Sequence, residues 1–137
     1  MEPSHFETTF SRDTYGPIFT LVDSYFHSIY AGDAAALRAT FDPDCRLFAD
    51  VNGTPSEKSV DEYVHGVAHR QSPRDLGEAF QMQVIGVETL GSIALVRTQQ
   101  RMLGFNYFDY LTLRRRGAAW FIVSKVFTHV DTAHAGR

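Results

Sequence analysis

The chain has 137 residues, of which 44% are apolar and 13% aromatic, and its formal net charge is −3. The length and apolar content suit one domain with a substantial core, while the charge offers no basic surface for nucleic acid, since the densest basic run, Arg114 to Arg116, falls in a predicted turn. Because the sequence shows no N-terminal signal pattern and no long apolar segment, we expect a cytoplasmic protein without membrane contact.

The two ends of the chain lack hydrophobic periodicity. We predict a flexible arm over residues 1–13, a single domain over residues 14–131 and a tail over residues 132–137. No internal repeat or linker interrupts the middle part, so one continuous fold is expected there.

The domain is predicted to begin with two helices. Pro17 suits the first turn of the first helix, and Gly32 marks its end. One face of this helix carries apolar residues at three-to-four spacing, namely Ile18, Val22, Tyr25, Phe26 and Ile29. Asp33 is expected to cap a short second helix from Ala34 to Phe41, which Pro43 ends.

Strands dominate the rest of the chain. Cys45 to Val51 alternates as a strand and is followed by an Asn-Gly turn, and the capping box Ser59 to Glu62 opens a third helix. Three strand regions follow: Phe80 to Glu88, Ile93 to Leu103, and a final hairpin from Gly104 to His129. This order predicts an α+β fold, in which N-terminal helices pack on a curved antiparallel sheet and form a cone.

The final hairpin carries three ionisable residues, Asp109, Lys125 and His129, at positions where a purely structural strand would be apolar. A three-residue turn would place Asp109 opposite Lys125, which is the preferred register because it pairs the charges. A two-residue turn at Gly117 and Ala118 would instead place Lys125 opposite Tyr110 and His129 opposite Asn106.

Strict alternation places Trp120 and Ile122 on the face opposite Lys125. Both faces of the hairpin are then partly buried. A homodimer packed through the convex face of the sheet would explain this burial.

A curved sheet closed by a helix leaves a pocket, which we expect under the first helix. The candidate catalytic residues are Asp109, Lys125 and His129. The candidate ligand-binding residues are the aromatic side chains expected to face inward: Phe26, Tyr30, Phe48, Tyr63, Phe105, Tyr107 and Phe127.

Other reactive residues form weaker patterns. The single cysteine, Cys45, opens an apolar strand and is expected to be a small buried hydrophobe. His65 and His69 have helical spacing but no third ligand, so we predict exposed helix residues and no metal site. Because dinucleotide and phosphate-binding motifs are missing, no cofactor is expected.

Four segments carry a family resemblance: S-I-Y-A-G-D, A-L-R-A-T-F-D-P-D-C-R-L-F, M-L-G-F-N-Y-F-D-Y-L-T-L and G-A-A-W-F-I-V-S-K-V-F-T-H. From about Tyr15 to Val130 the chain resembles the putative lumazine-binding family of the nuclear transport factor 2-like superfamily. The resemblance implies the cone-shaped α+β fold, a cavity between sheet and helices, and frequent homodimers. Members of this superfamily include isomerases, dehydratases, cyclases and non-catalytic binding domains.

Three functions remain open on this basis. The first is a non-catalytic carrier of a small molecule such as an aromatic heterocycle, stacked on Phe48, Tyr63 and Phe127. The second is a general acid/base enzyme acting on a small cyclic or carbonyl compound, with Asp109 as base. The third is a dimerisation unit with a vestigial pocket. The structural alternative to the catalytic hypothesis is that Asp109 and Lys125 form an ion pair that fixes the sheet register.

Overall fold

The computed structural model describes residues 12–131. Nearly all of the predicted arm and the whole predicted tail lie outside the described residues. The described chain contains the following helices and strands: α1 Arg12–Ala31, α2 Ala34–Arg38, β1 Phe41–Val51, β2 Thr54–Ser59, α3 Val60–Ala68, β3 Met82–Leu90, β4 Ile93–Met102, β5 Phe105–Arg116 and β6 Ala119–Val130. None of these helices is both long and apolar enough to span a membrane.

The helices follow the apolar spacing and the caps in the sequence. The predicted apolar face of α1 is buried, and the chain leaves the helix at Gly32, whose φ of +70° favours glycine. The Asp33 side chain caps α2 by accepting from the Ala36 N–H at 3.1 Å. The predicted capping box is confirmed, because the Ser59 hydroxyl and the Glu62 carboxylate each accept from the other residue's backbone N–H.

The six strands form one sheet in the order β2-β1-β6-β5-β4-β3. The α+β class is confirmed, but the sheet is mixed, because β1 runs parallel to β6. The prediction missed β2, which is polar and exposed along most of its length and shows no apolar alternation. The second helix is also shorter than predicted, because Phe41 already begins β1 and pairs with Ile122.

The helices cover one face of the sheet, which we call the inner face, and we call the opposite face the outer face. Side chains of α1, α2 and α3 join those of the strands in one apolar core, whose fully buried members include Ile29, Leu37, Val64, Val96 and Leu111. The site described below lies on this inner face.

The hairpin of β5 and β6 follows neither predicted register throughout. It turns at Gly117 and Ala118, which excludes the preferred three-residue turn. A bulge on β6 at Val123 then moves the pairing by one residue. Lys125 therefore lies opposite Leu111, and Asp109 lies opposite Phe127.

Because of this bulge, the prediction that Trp120 and Ile122 lie on the face opposite Lys125 is wrong. Ile122 pairs with Leu113, which lies two residues from Leu111 and therefore on the same face as Lys125. Both Trp120 and Ile122 belong to the inner core, with exposures of 5% and 0%. Their burial consequently gives no argument for a dimer.

Candidate functional site

A cavity of about 450 Å³ lies between α3 and the inner face of the sheet. Its aromatic walls are Tyr63 of α3, Tyr107 of β5 and Phe127 of β6, all three of which were predicted ligand-binding residues. We expected the pocket under the first helix, but no described residue of α1 lines it. The volume falls within the range of about 300–1,000 Å³ that is common for small-molecule sites.

A buried chain of polar groups forms one end of this cavity. Lys125 Nζ donates to the hydroxyl oxygens of Tyr25 and Tyr63, each at 2.7 Å. The Tyr25 hydroxyl in turn donates to Asp109 Oδ2 at 2.5 Å. Lys125 and Asp109 are 2% and 1% exposed, and within the described residues they make no direct ion pair. Tyr25 therefore bridges the two charged groups, which the preferred hairpin register had predicted to lie directly opposite each other.

Asp109 is held through one of its two oxygens. Thr98 Oγ1 donates to Asp109 Oδ2 at 3.1 Å, and Gln100 Nε2 donates to the same oxygen at 2.5 Å. Together with the bond from the Tyr25 hydroxyl, these bonds give Oδ2 three donors. Oδ2 therefore has little capacity to accept a further hydrogen bond. Oδ1 takes part in none of these three bonds, and Asp109 lines the cavity.

Aromatic rings surround the ammonium group of Lys125. Its Nζ lies 4.3 Å from the ring centroid of Tyr63, 4.6 Å from that of Phe127 and 5.0 Å from that of Tyr25. Such cation–π contacts offset part of the cost of burying a charge away from water. The sheet can therefore keep a cation at the end of the cavity where aromatic rings surround it.

Burial and charge favour the neutral form of Tyr25. Burial, followed by the negative charge of Asp109, raises the pKa of Tyr25 well above its usual value. Its proton therefore stays on the hydroxyl and remains directed to Asp109. Burial also raises the pKa of Tyr107, although the positive charge of Arg70 acts in the opposite direction.

The hydroxyl of Tyr63 has its proton available for a ligand. Because its oxygen accepts from Lys125, the Tyr63 proton must be directed elsewhere. The side chain lines the cavity, and the adjacent ammonium increases the polarity of its O–H bond. Tyr63 is thus placed to donate to an oxygen of a bound molecule.

Two further cavity residues have polar atoms that find no partner among residues 12–131. Arg70 follows the C-terminal end of α3, and its Nε and Nη2 are buried without a hydrogen-bond partner. Gln100 is 1% exposed, and its Oε1 likewise has no partner. Both residues line the cavity, so the unpartnered atoms belong to side chains of its wall.

The remaining predicted site residues lie elsewhere. Phe26 and Tyr30 pack against Phe80, and the Tyr30 hydroxyl donates to the Glu78 carbonyl oxygen at 2.6 Å. Phe48 is 40% exposed and lines a separate groove on the outer face.

The rings of Phe105 and His129 lie against each other with their centroids 4.8 Å apart. His129 Nε2 accepts from the Asn52 N–H at 2.9 Å. Neither of these residues lines the cavity, so the catalytic role of His129 stays a prediction without support from the cavity's geometry.

The sequence analysis did not select Tyr25, Thr98, Gln100 or Arg70 as site residues. Thr98 and Gln100 could have been found from the sequence. They are polar residues at every second position of β4, on the same face as the buried Met102. Tyr25 carried no such signal, since a tyrosine on an apolar helix face is expected in the core.

Cys45 and the two neighbouring histidines match the structural interpretation. Cys45 is 2% exposed, and burial raises the pKa of its thiol to about 11. His65 and His69 are exposed, with ring centroids 4.0 Å apart. The described residues hold no group of three side chains suited to a metal ion.

Comparisons with known proteins agree with this fold. A protein-family model described as putative lumazine-binding matches residues 14–128, whereas no curated protein matches the chain. An NTF-2-like protein of unknown function from Silicibacter pomeroyi is 22% identical with a TM-score of 0.73, covering 84% of this chain and 94% of that one. A similar protein from Shewanella baltica, also of unknown function, is 16% identical with a TM-score of 0.75, covering 94% and 98%.

A third structure is described as a ketosteroid isomerase-like protein and comes from Erwinia carotovora atroseptica. It is 15% identical with a TM-score of 0.58, covering 85% of this chain and 95% of that one. At these identities the three solved structures establish the nuclear transport factor 2-like fold of the chain.

Proposed function

We propose, from the premise that this chain belongs to the putative lumazine-binding family, that it binds a small planar organic molecule in the cavity between α3 and the inner face. The observation that carries this proposal is the Tyr63 hydroxyl, which lines the cavity and accepts from the buried Lys125. A ligand oxygen that accepts from Tyr63 would gain a hydrogen bond that the neighbouring Lys125 ammonium strengthens.

The aromatic walls favour a flat ligand. Tyr63 and Tyr107 each lie against Phe127, with ring centroids 6.4 and 6.1 Å apart. Aromatic faces at such spacings offer stacking and edge contacts to a ring. The open cavity also argues against a vestigial pocket, because a side-chain-filled interior would be expected in that case.

General acid/base catalysis is the second candidate function. Asp109 lines the cavity, while Tyr63 and Lys125 could polarise a substrate oxygen. The same fold occurs in the structure described as ketosteroid isomerase-like. In this interpretation Asp109 takes a proton from a carbon or oxygen of the substrate.

A thermal-melt screen against pteridines, flavins, steroids and small cyclic ketones tests the binding proposal. A ligand at about 100 times its Kd should add about 2.7 kcal/mol of stability, which raises Tm by several degrees. Tyr63→Phe should weaken the binding of a hit about tenfold. Tyr110→Phe, on the exposed outer face, is the matched control and should bind normally.

Asp109→Asn then separates binding from catalysis. If the hit is a substrate, this variant should lose turnover by at least about 100-fold while it still binds, provided that its melt shows it to be folded. Saturable binding without turnover in the parent would support the carrier function alone. A parent chain that binds no compound of any class would contradict both candidates.

The homodimer through the outer face is also proposed. Phe48, Val126 and Tyr110 are in register on three adjacent strands and are 40%, 48% and 57% exposed. Asp50 and Arg97 lie at opposite sides of the groove of about 440 Å³ that these residues line. A two-fold axis through the groove would bring Asp50 of each copy to Arg97 of the other, so the face is self-complementary.

A further inference from the structure

We infer that the cavity selects an organic acid, whose carboxylate or similar anionic group pairs with Arg70 and whose O–H or N–H group donates to Gln100. This inference rests on the proposed ligand-binding function and narrows its ligand to one chemical class. It is carried by two unpartnered polar groups and by the charge of the cavity.

The unpartnered atoms of Arg70 lie on one edge of its guanidinium group. Nε and Nη2 present two nearly parallel N–H bonds, and both atoms are buried without an acceptor in the described part of the chain. A buried charged donor without an acceptor is costly. A carboxylate fits this edge with two hydrogen bonds, which is the arrangement that arginine forms most readily.

The charge balance of the cavity also favours an anion. Lys58, Arg70 and Lys125 line the cavity together with Asp109 as the only described carboxylate, which leaves an excess of two positive charges. The whole chain has a formal net charge of −3. Positive charge is thus concentrated at this site although the chain as a whole is negative. This local positive charge attracts acids and repels cations.

Gln100 sets a second requirement on the ligand. Its Nε2 donates to Asp109 Oδ2, so Oε1 is the end of the amide that lacks a partner. This oxygen can only accept. A ligand that satisfies both residues therefore carries an anionic group and, at another position, a hydroxyl or N–H group.

A structural role of Arg70 at the C-terminal end of α3 is the competing explanation. A cation there interacts favourably with the helix dipole, by about 0.3–1 kcal/mol at an exposed site. The dipole does not supply an acceptor for the Nε and Nη2 protons. A structural Arg70 would also stabilise the free protein, whereas a ligand-binding Arg70 with unpartnered atoms would not, and this difference can be measured.

The test uses 4-hydroxybenzoate and its neutral analogue 4-hydroxybenzamide as probes, with binding measured by calorimetry. The parent should bind the acid at least about tenfold more tightly than the amide. Arg70→Gln should remove this preference while it leaves the Kd of the amide unchanged within about twofold. Arg74→Gln, an exposed arginine of the same segment, is the matched control and should keep the preference.

Two further measurements test the role of Arg70 without relying on affinities. The Arg70 Nε–H NMR signal is identified as the one that disappears in Arg70→Gln. In the parent, 4-hydroxybenzoate should shift this signal, and 4-hydroxybenzamide should not. Unliganded Arg70→Gln should melt at the parent's Tm or above it. A Tm several degrees lower, with the acid preference retained, would overturn the inference in favour of a structural arginine.

The outcomes separate this inference from the proposed function. If the parent binds the amide or any neutral compound of the screening panel but shows no preference for the acid, the inference fails and the binding function stands. If neither probe and no panel compound binds, both fail. If the preference survives in Arg70→Gln, an acid is selected by other residues and the assignment to Arg70 is wrong.

Discussion

Tyr25 is the single side chain on which the buried polar network depends. Its hydroxyl accepts from Lys125 and donates to Asp109, and these partners lie 100 and 84 residues further along the chain. The hydroxyl therefore keeps an ammonium and a carboxylate in fixed positions without direct contact. Its raised pKa keeps the bridging proton in place across the whole physiological pH range.

Tyr25→Phe should lower the free energy of unfolding by about 1–3 kcal/mol, because two buried charged groups each lose a hydrogen-bond partner. Tyr110→Phe removes a hydroxyl from a side chain that is 57% exposed and should cost less than about 0.5 kcal/mol. Urea denaturation of both variants measures the difference. Equal stability of the two would show that the bridge contributes nothing measurable.

The sequence alone could identify only part of this network. Asp109 and Lys125 were recognisable because each is an ionisable residue within an apolar strand. Tyr25 was not, since its helix face is uniformly apolar and its role depends on partners brought close only by the tertiary fold. Arg70 follows a helix end, where a solvent-exposed arginine is the ordinary expectation.

At the scale of elements, the bulge at Val123 determines which side chains reach the cavity. Trp120 and Ile122 precede it, Lys125 and Phe127 follow it, and the extra residue lets both pairs face inward. Strict alternation would send one pair to the outer face. The strands and their approximate ends could be predicted from apolar alternation, but a bulge leaves no comparable signal in the sequence.

Deletion of Val123 should therefore keep all four side chains inward. Without the extra residue, Trp120, Ile122, Lys125 and Phe127 stand at every second position, so strict alternation places them on one face. Deletion of Phe121 instead makes Trp120 and Ile122 direct neighbours, so that one of them must turn outward, and should cost more than about 3 kcal/mol. Thermal melts followed by circular dichroism compare the two deletions.

A Phe121 deletion as stable as the Val123 deletion would contradict this account. It would mean that the hairpin keeps both Trp120 and Ile122 buried without the residue between them. The fluorescence of Trp120, the single tryptophan of the chain, would show whether its side chain has left the core.

At the scale of the whole molecule, the two faces of the sheet have separate roles. The inner face carries the core and the cavity, and its helices leave the outer face uncovered in the described residues. On that outer face, Phe48, Val126 and Tyr110 form an exposed apolar row across three strands. Exposed apolar rows of this kind are typical of protein interfaces.

Val126→Glu should convert the proposed homodimer into a monomer. The substitution places a charge in the middle of the apolar row, where two copies would bury it without a partner. Light scattering coupled to size exclusion should give about twice the chain mass for the parent and the single chain mass for the variant. Leu90→Glu adds the same charge at a residue that is 75% exposed outside the row and should remain dimeric.

Ligand binding provides the second readout for this variant, because the cavity and the outer face use different sets of side chains. A monomeric Val126→Glu that binds its ligand with the parent's affinity would show that each chain holds a complete site. If binding is lost together with the dimer while the melt remains cooperative, the outer face must support the cavity through β6, since Lys125 and Phe127 flank Val126 on that strand. A parent chain that is monomeric at all concentrations would contradict the dimer and leave the exposed row to a different partner.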